Sequence, residues 1–270
     1  MAVVALAGCS SNDSGLEPGR TTVVVDAYPT AYAAEQVLGD DIAVVTLTKP
    51  GVEPHDLELT AEQVRQVADA DVVAYIPGLA PAVEQAAKRE AGDRSVNVAA
   101  GVDLRPGDPH IWLNPLNMAT MGENIAQAVT DQGLADVTGA ALTEQMTDLD
   151  ESFRTQLRPC RIRTFIVSHA AFGYLGDAYG LTQQGVAGNS PEAEPSPARL
   201  KELSALIRAQ GITTLYTEPL APPAAVDVLA AETGTTTAVL DPVESATGGL
   251  TYLQLMRANL KNLHDGQDCG

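Results

Sequence analysis

Thr21-Thr22-Val23-Val24-Val25-Asp26-Ala27 is a β-branched, apolar run bounded by Gly19 and by Tyr28-Pro29. It reads as a buried strand. Working outward, residues 30–39 follow as a helix that Gly39 stops. Residues 42–47 form the next strand. Thr60-Ala61-Glu62-Gln63 is a capping box that opens a helix running to about residue 70. A strand over 72–76, a helix over 81–91 and a short strand over 95–99 complete the first half. This strand–helix order predicts a parallel sheet with helices on both faces.

Pro106-Gly107-Asp108-Pro109 breaks the pattern, and from Pro115 it is helical to about residue 131. A second helical stretch over 135–157 places Leu142, Met146, Leu149, Phe153 and Leu157 at three- and four-residue spacing. The order then starts again. Strands are expected over 164–167, 181–186, 213–217 and 236–240. Helices are expected over 170–179, 197–210, 222–233 and 251–263, the second capped by Ser196 with Pro197 in its first turn. The expected fold class is therefore α/β, with two lobes, each a parallel-rich sheet flanked by helices, joined by one long helix. The divisions are a tether over 1–20, an N-terminal lobe over 21–133, a linking helix over 134–158 and a C-terminal lobe over 159–270. A single rod between lobes resists large hinge bending, so small rotations and local loop movement are expected.

The chain has 270 residues, 45% hydrophobic, which fits two modest cores and excludes a disordered chain. No apolar run reaches the ~18–20 residues of a membrane span. The net charge of −19 leaves no basic stripe to neutralise phosphates, so nucleic acid is not an expected partner. Residues 1–8 are apolar and small and end Leu6-Ala7-Gly8 before Cys9, like the end of a bacterial lipoprotein signal, although the positively charged start is missing. Cys9 is thus the expected lipidation site, with 10–20 as a polar tether. Cys160 and Cys269 remain, and in an oxidising exterior compartment they form a disulfide; free thiols are the alternative. Neither has the spacing of a metal ligand.

Four short stretches carry chemistry: Glu53-Pro54-His55-Asp56, Asp108-Pro109-His110-Ile111-Trp112-Leu113-Asn114-Pro115, Ser168-His169 and Leu240-Asp241-Pro242. In open parallel sheets, ligands sit outside the carboxyl ends of strands. His169 and Asp241 directly follow expected strands, and His55 and His110 lie in loops reached from first-lobe strands. Three imidazoles and a carboxylate would make a closed four-coordinate shell suited to Zn2+. Glu53, Asp108 and Glu218 are the candidates to hold the far ring nitrogens. Each residue also has a bland reading: His55 as a surface residue, His169 as a hydrogen-bonded core histidine, Asp241 as a turn residue, and Trp112 as packing. His264, near the C-terminus, reads as surface.

The sequence resembles the zinc/manganese-type (cluster A-I) class of ABC-transporter metal-binding lipoproteins. The resemblance rests on Gly51-Val-Glu-Pro-His55-Asp, Asp108-Pro-His110-Ile-Trp-Leu-Asn-Pro115 and Ser168-His169-Ala-Ala-Phe-Gly-Tyr174. Glu194-Pro-Ser-Pro197, Thr217-Glu-Pro219 and Leu240-Asp-Pro242 add to it. The motifs run in order over nearly the whole chain. The resemblance implies two α/β lobes bridged by a long helix and a metal held between them by His55, His110, His169 and Asp241. It also implies delivery of that metal to an ABC permease from a lipid-anchored, extracytoplasmic, monomeric protein that is not an enzyme. Manganese-binding members usually carry Glu at the third ligand position and zinc-binding members His; His169 therefore favours Zn2+, with Mn2+ as the alternative. Many zinc-binding relatives carry a His-rich loop before the second motif, but residues 92–107 contain no histidine. The rival class, a metal-dependent hydrolase, would need an open coordination position, and no HExxH or GxSxG motif supports it.

Overall fold

The computed structural model describes residues 16–188 and 193–270. Cys9 and its surroundings lie outside the described residues. The first half runs β1 (Thr22–Val25), α1 (Tyr28–Leu38), β2 (Ala43–Thr46), α2 (Ala61–Asp69), β3 (Val72–Tyr75), α3 (Pro81–Ala86) and β4 (Ser95–Asn97). Two helices, α4 (Pro115–Asp131) and α5 (Ala140–Leu157), follow without an intervening strand. The second half runs β5 (Thr164–Val167), α6 (Gly173–Tyr179), β6 (Thr182–Gly185), α7 (Pro197–Gln210), β7 (Thr214–Thr217), α8 (Ala224–Thr233), β8 (Thr236–Val239) and α9 (Tyr252–Gly266).

The two sheets have the same plan. Their orders are β2-β1-β3-β4 and β6-β5-β7-β8, and every pairing is parallel. In this order the chain leaves the central strand to one side and returns on the other. A crevice opens where the direction reverses, between the carboxyl ends of β1 and β3 and of β5 and β7. The first crevice is closed from within. Asp26, directly after β1 and fully buried, accepts the N–H groups of Ala27 and Ile76 at 2.7 Å each. Burial pushes its carboxyl up to about 6 against those donors. The second crevice holds His169 after β5 and Glu218 after β7, bonded to each other at 2.5 Å.

Local signals explain most boundaries. Thr60 and Gln63 make the expected capping box on α2, Thr251 and Gln254 a second on α9, and Ser196 caps α7. Two boundaries differ instructively. The helix expected from 135 begins at Ala140, because Gly139 precedes it and Val137 and Thr138 are poor helix formers. The helix expected from 170 begins at Gly173, because Ala170 and Phe172 spend their N–H groups on Gly188 O and Gln183 Oε1. That detour turns the chain at His169.

One apolar core runs through both halves. It includes Val23, Val25, Trp112, Met118, Leu142, Phe153, Phe165, Tyr216 and Tyr252, so the inner faces of both sheets meet α1, α4, α5 and α9 in a single layer. Two smaller clusters cover the outer faces, one under α2 and α3, the other under α7 and α8. Polar links cross between the halves. Trp112 Nε1 donates to Pro242 O at 2.8 Å, Tyr252 Oη donates to Trp112 O at 2.6 Å, and Tyr32 stacks on Tyr252 at 4.9 Å. Cys160 and Cys269 are bonded, closing the second half on itself. No helix among the described residues is long and apolar enough to cross a membrane.

Candidate metal centre

The carboxyl ends of both sheets face the same region, and each candidate side chain arrives on its own loop. His55 lies between β2 and α2. His110 precedes the short turn Ile111–Leu113, whose three side chains are buried and whose end is fixed by Asn114 capping α4. His169 follows β5, and a carboxylate arrives from the loop after β8. That carboxylate is Glu244. His55, His110, His169 and Glu244 each present one ligand atom, and the four atoms lie within 4.8 Å of one another. Asp241, the expected fourth ligand, is not among them. It is buried, its Oδ1 accepts the N–H of Val243 at 2.7 Å, and its backbone is held by Asn259.

The edges of this group can be compared with what an ion needs. Nε2 of His110 is 3.2 Å from Nε2 of His55 and 3.4 Å from Nε2 of His169. Glu244 Oε1 lies 3.3 Å from His110, 3.5 Å from His55 and 3.9 Å from His169. A tetrahedral zinc ion with bonds of ~2.0–2.1 Å requires ligand–ligand edges of ~3.3–3.4 Å. Five edges are close to that value, and the sixth, between His55 and His169, lies within 4.8 Å, so the residues present fit zinc once that pair draws together. The hydrogen bonding agrees. Glu244 Oε1 is buried without a hydrogen bond of proper geometry, although three ring nitrogens surround it. Lone pairs converging on one buried point call for a cation.

Carboxylates fix two of the rings from behind. Asp108 Oδ1 accepts the backbone N–H of His110 at 3.1 Å and faces its Nδ1 at 2.8 Å. Glu218 does the same for His169, at 3.0 Å to the backbone nitrogen and 2.5 Å to Nδ1. A proton held at each Nδ1 leaves each Nε2 as a lone pair aimed inward. Glu53 accepts the backbone N–H of His55 at 3.1 Å and lies 3.8 Å from its Nε2, on the inward side of the ring. Removing such a partner has a defined cost. Glu218→Gln offers Nδ1 an amide instead of a carboxylate, and zinc affinity should fall about 10–100-fold in a chelator competition.

Electrostatics bind the group together even without an ion. Burial alone pushes the His110 imidazole down, but Asp108 and Glu244 more than offset it and raise it to about 9. Glu244 is the counterpart: burial pushes its carboxyl up, while His110 and His55 hold it well below the usual carboxylate range. Glu53 is raised, by burial first and by Glu244 second. A proton on His110 thus stands in for the cation. Access is one-sided. The His55 side chain is 16% exposed, whereas those of His110, His169 and Glu244 are at most 2% exposed. An ion reaches the others past His55.

Of the four residues expected as ligands, His55, His110 and His169 lie in this cluster and Asp241 does not; Glu244, three residues on, supplies its carboxylate. The strand-end rule picks the first acidic residue after β8. The available signal was the second acid, Glu244, beyond a Pro242-containing turn.

The family model described as ZnuA, zinc-uptake complex component A periplasmic, matches residues 23–266. The chain is 30% identical to the zinc-binding lipoprotein AdcA of Streptococcus pneumoniae over 97% of its own length and 58% of that protein's. It therefore spans a little over half the length of the first curated relatives it matches. It is also 30% identical to the high-affinity zinc uptake system protein ZnuA of Bacillus subtilis, over 97% of this chain and 93% of that one. Among solved structures, the Zn(II)-bound ZnuA-like domain of Streptococcus pneumoniae AdcA superposes with a TM-score of 0.78. The identity is 31%, over 93% of this chain and all of that one.

Proposed function

Because the chain belongs to the family of periplasmic zinc-uptake complex component A proteins, we propose that it captures Zn2+ outside the cytoplasm and hands it to an ABC permease. The ligands in this reading are His55, His110, His169 and Glu244. The observation that carries it is four ligand atoms within 4.8 Å of one another, with the five edges that involve His110 or Glu244 at 3.2–3.9 Å. Four protein ligands leave no position for an activated water, which favours cargo binding over hydrolysis. Three imidazoles and one carboxylate favour zinc over manganese, which prefers oxygen. Residues 21–133 and 159–270 act as the two lobes, with 134–158 as the rod between them. The lipid anchor belongs on Cys9, the protein works as a monomer, and a curated relative named a lipoprotein supports the anchoring.

Calorimetric titration in buffers of different ionisation enthalpy tests this. In the empty site His110 carries its proton below about 9, so at neutral pH each bound zinc should release about one proton. Affinity should accordingly rise about tenfold per pH unit from neutrality until that imidazole is deprotonated, then level off. One zinc per chain is expected, with manganese at least ~100-fold weaker. A protein that takes up no zinc, or that prefers manganese, would overturn the reading.

A further inference from the structure

The loop that delivers Glu244 is held at Asp241, Pro242, Val243 and Ser245, and one of those residues is in a conformation its side chain disfavours. Val243 has φ 58 and is fully buried. A β-branched residue occupies this left-handed region only when its surroundings impose it. The turn is needed because only two residues separate Asp241, at the end of the second sheet, from Glu244, whose carboxylate points back into the cleft.

We propose that Asp241 is a positioning residue that imposes this turn and so aims Glu244 at the ion. The proposal rests on the reading of Glu244 as the fourth ligand. Asp241 Oδ1 takes the Val243 N–H at 2.7 Å, a side-chain bond two residues ahead that closes the turn. Asp241 itself cannot shift, because Asn259 Oδ1 accepts its N–H at 2.8 Å and Asn259 Nδ2 donates to its C=O at 2.7 Å. Two contacts from the first half complete the clamp. Trp112 Nε1 holds Pro242 O at 2.8 Å, and the Gly51 N–H, from the loop carrying His55, donates to Ser245 Oγ at 2.9 Å. Asp241 therefore acts on the ion through the backbone of Val243 rather than by touching it.

Four variants of the full chain test this, with zinc affinity read by chelator competition and melting temperature read in the metal-free state. Asp241→Ala should weaken zinc binding about tenfold or more, because the turn loses its buried acceptor. Asp241→Asn keeps an oxygen for the Val243 N–H and should stay within about threefold of the parent. Asp241→Ala combined with Val243→Gly should regain affinity, since glycine adopts positive φ freely, even if melting temperature falls further. A merely structural role would move affinity and melting temperature together and would show no such recovery. If Asp241→Asn loses as much as Asp241→Ala, or if Asp241→Ala binds like the parent, the proposal is overturned. Glu244→Ala separates the two levels of the argument: undiminished zinc binding there would sink the ligand assignment itself.

Discussion

His110→Ala should lower zinc affinity by about 10²–10³-fold, if four ligands share the ~10–16 kcal/mol typical of a four-ligand zinc site. His110 is the hub of the group, since its Nε2 makes edges of 3.2, 3.4 and 3.3 Å to the other three ligand atoms. The substitution has a second effect that a surface histidine would not have. In the empty protein the protonated ring lies between Asp108 and Glu244, both with side chains almost wholly buried. Removing it leaves two carboxylates without their shared cation, and breaking such a buried pair costs about 3–5 kcal/mol. Chelator competition should show the affinity loss, and thermal melts of metal-free protein should show the destabilisation. His264→Ala provides the contrast, because that side chain sits on the exposed face of α9 beside Asp265. Unchanged zinc affinity in His110→Ala would contradict the proposed centre.

Replacing both Cys160 and Cys269 by Ala should lower the melting temperature by about 10–20 °C. The bond joins residues 109 apart in sequence. Closing a loop of that size restricts the unfolded chain by about 4–5 kcal/mol in the chain-entropy account. At ~2–4 °C per kcal/mol for a chain somewhat smaller than this one, that gives the shift stated. The folded state loses little geometry, because other contacts hold the same junction. Arg161 and Ile162 donate backbone hydrogen bonds to Asp268 O and Gln267 O at 3.1 Å each, and Gln267 Nε2 reaches Ile162 O and Thr164 O at 3.0 Å. Zinc affinity should therefore change far less than stability. Melts with and without a thiol reductant give the same comparison on the parent protein. Equal melting temperatures would mean that the bond restrains nothing the native contacts do not already restrain.

The residues that were legible in sequence share a property: their meaning is local. Thr60 and Gln63, Thr251, and Ser196 with Pro197 announce helix starts within four residues, and the structure places those starts as expected. The valine-rich run at β1 and the strand at Thr164–Val167 read as buried because all their neighbours in the window are apolar or β-branched. The histidines were legible because the strand-end rule and Pro109 limit where their loops can point. Asp108 and Glu218 were within reach for the same reason. Glu244, the proposed fourth ligand, was not, because its orientation depends on the positive φ of Val243. A valine there gives no hint of a left-handed turn, since the contacts around it come from Asp241 two residues back and from Trp112 and Gly51 in distant parts of the chain. The start of α6 was lost similarly, to a hydrogen bond from Phe172 to Gln183.

The apolar layer shared by the two halves bears on how the cargo leaves. Pulling the halves apart would wet Trp112 and Tyr252, both fully shielded from solvent, and would break the bond from Trp112 to Pro242. That penalty sets a floor under any wide-open state. In the proposed delivery to a permease, unloading would then proceed by a small yielding of the loop that carries His55 while the rest of the molecule stays shut.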